Sequence, residues 1–272
     1  MASSRSKKPA KPSSTARKRT SANATALPPI TPPRDRPPAA AALKSISPKK
    51  KRGSSADPLA PARVTAILDA LEKAYPNAVC ALQHRNAWEL LVATILSAQC
   101  TDARVNMVTP ELFRRFPTPA DMAQAATPEL EQMIRSTGFF RNKSKSLQGA
   151  GKVIAAEFGG KVPETMEELL RVPGAARKTA NVVLGSWYGI AVGVVVDTHV
   201  LRISRRLELT RQEDPVKVEQ DLMQVIPQKK WIEFSHQLIH HGRQVCIARN
   251  PHCADCTLEP LCNSSDKTWS SH

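Results

Sequence analysis

Two groups of residues in this 272-residue chain have types and spacings that could do chemistry. The first is a lysine and an aspartate. Lys178 falls in the opening turn of a helical run that begins after Val172-Pro173-Gly174-Ala175-Ala176. Asp197 lies nineteen residues on, between the apolar run Ile190–Val196 and a new helical pattern, Thr198–Leu207. A helix N-terminus presents unpaired N–H groups and the positive end of the dipole, which favours an anion and disfavours a cation. Arg177 and Lys178 in that turn therefore read as basic groups touching phosphate on a wet surface. Lys178 also reads as an amine kept neutral, and so nucleophilic, by the helix end. Asp197 reads as the N-cap of the next helix, a role that its residue type favours. Local sequence decides neither residue.

The second group is a cysteine cluster. Six cysteines are present, and four of them, Cys246, Cys253, Cys256 and Cys262, fall within 17 residues as C-x6-C-x2-C-x5-C. Four thiolates at this density close around Zn²⁺ or a [4Fe–4S] cluster, and spacing alone does not choose between them. A disulfide framework fits poorly in a large chain without a secretory signal. Cys80 and Cys100 read as free thiols. His240 and His241, just upstream, read as neutral surface or supporting groups, because the four cysteines already make a complete ligand set.

The elements that must position these residues are helices. Met166, Leu169 and Leu170 recur at helical spacing before Pro173-Gly174 interrupts, and Ala180, Val183, Leu184 and Trp187 resume the period, giving two helices around a tight turn. Val64, Ile67, Leu68 and Leu71 mark a first amphipathic helix. WELLVATILSAQ, following Asn86, has helical length and apolar residues on most sides. Further helical patterns run Asp102–Phe113, Thr118–Ala126, Pro128–Ser136, Asn142–Phe158, Val216–Ile226 and Trp231–His241. Convincing period-two alternation is absent, so the expected fold class is all-α.

Charge separates the beginning of the chain from the rest. Residues 1–56 hold 14 Lys and Arg against one acid, Asp35, and so carry +13 of the formal +15. Rich in Ser, Pro and Ala and nearly free of large apolar side chains, this segment is expected to be disordered and to act as a basic arm on polyanions such as DNA. Pro48-Lys49-Lys50-Lys51-Arg52 resembles a nuclear import signal, and the acid-poor N-terminus resembles a transit peptide. Both are weak patterns, and the cytoplasm or nucleoid of a bacterium is the favoured location. No run reaches the roughly 18 apolar residues needed to cross a bilayer, and the sequence gives no sign of obligate oligomerisation, so a monomer without membrane association is expected.

VPGAARKTANVV followed by VDTH resembles the helix-hairpin-helix and catalytic Asp of the endonuclease III family of DNA glycosylases. The family pattern is Leu-Pro-Gly-Val-Gly-x-Lys-Thr-Ala, then Val-Asp-Thr-His. By position the resemblance implies that Lys178 is the Schiff-base lysine and Asp197 its activating carboxylate. Gly174, Ala176 and Arg177 then form the hairpin that meets a DNA phosphate. Ala176 departs from the family's second hairpin glycine, a position expected to carry a steric cost for alanine. The turn Ser97–Asp102 implies Gln99 as a wedge filling the gap left by a flipped base. Gly138-Phe139-Phe140 resembles the family's Gly-Leu-Tyr loop and implies Phe139 as a second wedge. The family's cysteine spacing is the one found here, which implies a [4Fe–4S] cluster that holds the loop Ile247–His252 and presents Arg249 to DNA.

The resemblance covers about residues 58–266 and implies two helical lobes with DNA in the groove between them. A six-helix lobe with the hairpin spans 81–190, and a cluster lobe is built from 57–80 and 191–272. The implied activity is that of a bifunctional glycosylase and abasic-site lyase on damaged double-stranded DNA, acting on oxidised pyrimidines such as thymine glycol. Pyrimidine dimers, which some relatives prefer, stay open as substrates. The related mismatch adenine glycosylases lack the nucleophilic Lys and usually carry an extra C-terminal domain, for which the ten residues after Cys262 leave no room. An alternative from another class is a non-catalytic DNA-binding protein using hairpin, cluster and tail for backbone contacts, a reading to which Ala176 lends support.

Overall fold

The computed structural model describes residues 57–269, so the expectations for the basic segment 1–56 lie outside the described residues. Eleven α-helices follow one another there: α1 (Pro61–Ala74), α2 (Ala87–Leu96), α3 (Asp102–Arg115), α4 (Pro119–Ala123), α5 (Thr127–Ile134), α6 (Phe140–Glu157), α7 (Met166–Leu169), α8 (Arg177–Ser186), α9 (Thr198–Arg206), α10 (Pro215–Val225) and α11 (Trp231–Gln244), with short 3₁₀ turns between and after them. No strand occurs among the described residues, as the missing period-two pattern leads one to expect.

Buried apolar side chains gather into two clusters. One runs from Leu82 to Leu184 and is centred on α2, every residue of which is buried. Asn86 starts this helix by accepting the Glu89 N–H at 2.8 Å, and the Glu89 carboxylate, itself buried, is paired with Arg85 at 2.7 Å. The other cluster joins α1 to the chain from Val194 to Leu258. Ile190 and Val192 pack on the first cluster, Val194 and Val196 on the second, so the apolar link between Lys178 and Asp197 crosses from one to the other.

Helix ends are set by local chemistry. Thr101, Thr118, Thr165, Asp197 and Asp214 each accept a backbone N–H as N-caps of α3, α4, α7, α9 and α10. Close packing makes glycine obligatory at position 151. A Cβ on Gly151 in α6 would lie 2.4 Å from the Pro119 carbonyl oxygen and 2.9 Å from the Ala123 nitrogen of α4. Backbone cannot yield as a flexible side chain does. Gly151→Ala is expected to lower stability by about 1–3 kcal/mol, read from the urea midpoint at constant slope.

Candidate active site and nucleic-acid interface

α7, a tight turn and α8 form the hairpin. Val172 and Ala175 are buried beneath it. Gly174 sits at φ +83, and a Cβ there would meet Ser146 Cβ at 2.9 Å and Ile95 Cδ1 at 3.2 Å, so both conformation and space demand glycine. Ala176 corrects the sequence expectation. As the N-cap of α8 it has φ −70 and ψ 167, ordinary extended backbone that alanine adopts without cost. It caps with no side chain, which leaves the first N–H groups of α8 to an outside acceptor.

Arg177 does not stand free on this surface. It donates from Nε to Glu219 Oε2 at 2.8 Å and from Nη2 to Oε1 at 3.1 Å, and Asn181 Nδ2 adds a bond to Oε1 at 2.8 Å. Glu219 belongs to α10 and is 5% exposed, so α8 is tied to an element of the other core.

Lys178 is exposed and makes no hydrogen bond or ion pair with the described residues. It lines one cavity together with Asp197, Asp102, His236, His240 and Arg243. Asp197 is the N-cap of α9: its Oδ1 accepts the N–H groups of His199 and Val200, both at 2.8 Å. The capping role read from local sequence is therefore present, and the same carboxylate shares a cavity with Lys178. Arg243 reaches across to Asp102 at 2.6 Å and joins α11 to the start of α3. His236 accepts from or donates to Ser186 Oγ at 3.2 Å. Burial, and then the neighbouring His240, pushes its pKa down to about 4, so the ring in this wall is neutral at physiological pH.

Two exposed loops carry the candidate wedges. Gln99 has φ +53 in the turn after α2, and Phe139 has φ +47 just after Gly138 at φ +72. Phe139 is 63% exposed, unusual for a large apolar side chain and the reverse of a core role. Of the four non-glycine residues with positive φ among the described residues, these are two, and Asn250, beside Arg249, is a third. Left-handed backbone at such residues is costly and concentrates at functional positions. Phe140 lies between the Arg135 and Arg141 guanidiniums, 5.9 and 5.6 Å from its ring centroid.

Cys246, Cys253, Cys256 and Cys262 line a common cavity with an empty volume of about 330 Å³, part of it open to solvent. Arg206 donates to Cys246 Sγ at 3.2 Å, and His241 Nε2 lies 3.5 Å from Cys256 Sγ. His241 is 1% exposed, its other ring nitrogen meets the Tyr75 hydroxyl at 3.0 Å, and burial pushes it down to about 4. It is thus a neutral, buried group against the thiols, where the sequence left a surface position open as well. Burial, then the other three thiols, pushes Cys256 up to about 11. Arg249 is exposed on the segment between the first two cysteines and bonds to none of the described residues.

Residues 92–228 match the HhH-GPD superfamily of base excision DNA repair proteins. Endonuclease III of Synechocystis is 56% identical over 203 residues, which is 75% of this chain and 93% of that one. The chain belongs to the endonuclease III family. Endonuclease III of Bacillus subtilis is 45% identical over 201 residues, 74% of this chain and 91% of the relative. A solved endonuclease III trapped as a covalent intermediate with DNA superposes with a TM-score of 0.71 at 43% identity, covering 75% of this chain and 95% of that one. A non-covalent endonuclease III–DNA complex gives the same values. A thermostable thymine-DNA glycosylase, 19% identical with a TM-score of 0.66, shares the fold.

Within this endonuclease III fold, sequence reasoning missed the partners that come from far along the chain. Glu219, Asn181, Asp102 and Arg243 are each ordinary polar residues in their own helices. The one available signal was Glu219, an acid between the inward-facing Val218 and Leu222 of α10. Because Ala176 is unstrained, Ala176→Gly should change stability by no more than about 1 kcal/mol and leave strand cleavage at an abasic site within about two-fold. Urea denaturation and single-turnover cleavage check both.

Proposed function

We propose that this chain, a DNA glycosylase and abasic-site lyase by its family, removes oxidised pyrimidines of the thymine glycol type from duplex DNA and nicks the strand 3′ to the abasic site by β-elimination. The observation that carries the reading is the unpartnered Lys178, at the uncapped N-terminus of α8, lining one cavity with Asp197. The trapped covalent DNA intermediate of a 43% identical endonuclease III supports it. The non-catalytic alternative loses its support, because Ala176 does not distort the hairpin.

The chemistry follows from what these groups can do. The damaged nucleotide leaves the stack, a cost of a few kcal/mol that damage lowers, while Gln99 and Phe139 fill the space it vacates. The uncapped N–H groups of α8 bind a backbone phosphate and set the sugar beside Lys178. The Lys178 amine, as its free base, attacks C1′. The bond from C1′ to the base breaks, and the base departs with the electron pair and takes up the proton that the attacking amine gives up by way of Asp197. Asp197 takes the proton released by the attacking amine and faces the positive charge that develops on the sugar. Ring opening gives an iminium, which acidifies C2′–H. Loss of that proton drives out the 3′ phosphate, and water then releases the lysine. Neutral His236 and the Asp102–Arg243 pair form polar walls able to read a base edge.

Cys246, Cys253, Cys256 and Cys262 fit a [4Fe–4S] cluster. All four line one cavity, and their spacing C-x6-C-x2-C-x5-C is the one that the endonuclease III family uses for this group. A bound cluster would crosslink the segment from Cys246 to Cys262 and fix the loop bearing Arg249 at the DNA. The protein is proposed to act as a monomer in the bacterial cytoplasm or nucleoid. No described helix is long and apolar enough to cross a membrane.

Lys178→Ala is expected to keep duplex binding within several-fold and to lose both the borohydride-trapped adduct and strand cleavage; cleavage at the wild-type rate would remove Lys178 from the mechanism. Asp197→Asn preserves the helix cap, since Asn caps as well as Asp, and so isolates the chemical role. It should lower the single-turnover rate by about 10²–10⁴-fold without lowering the melting temperature.

A further inference from the structure

Lys143 is a buried cation that the reaction above does not use. It is 5% exposed, and no carboxylate pairs with it among the described residues. Its ammonium donates to the Leu96 carbonyl and to the Thr137 carbonyl, each at 2.8 Å. Both acceptors end an element. Leu96 is the last residue of α2, and Thr137 closes the 3₁₀ turn Arg135–Thr137. Terminal carbonyls of a helix lack intrahelical donors and lie at the negative end of the dipole, so one lysine satisfies two such ends at once.

What lies beyond those two ends gives the contact its meaning. Gln99 is three residues after Leu96, and Phe139 is two residues after Thr137. Both are held in left-handed backbone that non-glycine residues seldom adopt, and such strain persists only where the surroundings over-determine it. The Lys143 backbone N–H is bonded to the Phe139 carbonyl at 3.0 Å, so main chain and side chain of one residue grip both loops. Packing alone does not call for an ion here. An apolar side chain of similar length would fill the space without desolvating a charge, which is often neutral or favourable for stability. Burial also draws the Lys143 ammonium below its ordinary pKa, as expected where desolvation is not offset by a counter-ion.

We propose that Lys143 is a positioning residue that locks the Gln99 loop to the Phe139 loop, so that both wedges enter the duplex as one rigid unit. It acts on the opening of the duplex and not on the chemistry at the sugar. The proposal rests on the assignment of Gln99 and Phe139 as wedges and goes beyond it by naming what holds them.

The test uses the full, cluster-loaded chain and a ratio internal to each preparation. Single-turnover rates are measured on a duplex containing thymine glycol and on a single-stranded oligonucleotide containing an abasic site, where no duplex has to be opened. Lys143→Met is expected to lower the duplex-to-single-strand ratio by about 10²-fold, the scale of an ångström-sized misplacement. A fluorescent base opposite the lesion, which brightens when unstacked by wild type, should stay dim with Lys143→Met. In a Gln99→Ala/Phe139→Ala background, adding Lys143→Met should change the ratio no further. Partial unfolding lowers both rates together and leaves the ratio intact, so a less stable variant still reports. If Gln99→Ala/Phe139→Ala lowers the ratio while Lys143→Met leaves it unchanged, the Lys143 proposal is wrong and the wedge assignment stands. If the wedge variants themselves leave the ratio unchanged, the wedge assignment falls and the proposal with it.

Discussion

The carboxylate of Glu219 is the joint on which this structure depends. It is buried in α10, on the second core, and takes three hydrogen bonds from Arg177 and Asn181, which belong to the hairpin helix of the first. A buried charge stripped of its partners is far costlier than one that is fully bonded, so the pairing fixes one relation between the two cores. That relation brings the start of α8 and the start of α9 to the same cavity. Lys178 and Asp197 line that cavity together, and the Arg243–Asp102 pair, which lines it too, is a second tie between elements of the two cores. The apolar link 190–196 supplies the connection, and the ion pairs supply the fit.

Strain and unsatisfied groups are distributed by the same logic. The cores are closely packed, and three left-handed non-glycine residues, Gln99, Phe139 and Asn250, together with the uncapped start of α8, lie on or beside the segments proposed to meet DNA. The α8 N-terminus is proposed to take a phosphate, and the proposed wedges, Gln99 and Phe139, are exposed in left-handed backbone that non-glycine residues seldom adopt. Groups that must stay uncharged are buried. His236 and His241 are both driven to the neutral form, one in the wall of the reaction cavity and one against the cysteines.

Much of this was legible in the sequence because it is local. The helical periods gave the eleven helices to within a few residues. Pro173-Gly174 marked the hairpin, Asp197 announced itself as a cap, and the interval between cysteines pointed to one ligand set. Three things were not legible, each because it depends on positions distant in the chain. The backbone at Ala176 could not be known from residue type, and the steric cost expected there is absent since φ is −70. Arg177, which read as a free phosphate contact, is engaged by a residue 42 positions away. Nothing in the sequence singles out Lys143, and only the folded chain shows it between the ends of two other elements.

The central claim is that Lys178 forms the covalent bond to the sugar. Borohydride reduction of the cluster-loaded chain on a thymine glycol duplex and on an abasic duplex, followed by mass spectrometry of the linked peptide, tests it most directly. The account predicts one adduct on both substrates, attached at Lys178. Attachment at another amine, or cleavage of both duplexes with no reducible adduct, would contradict it.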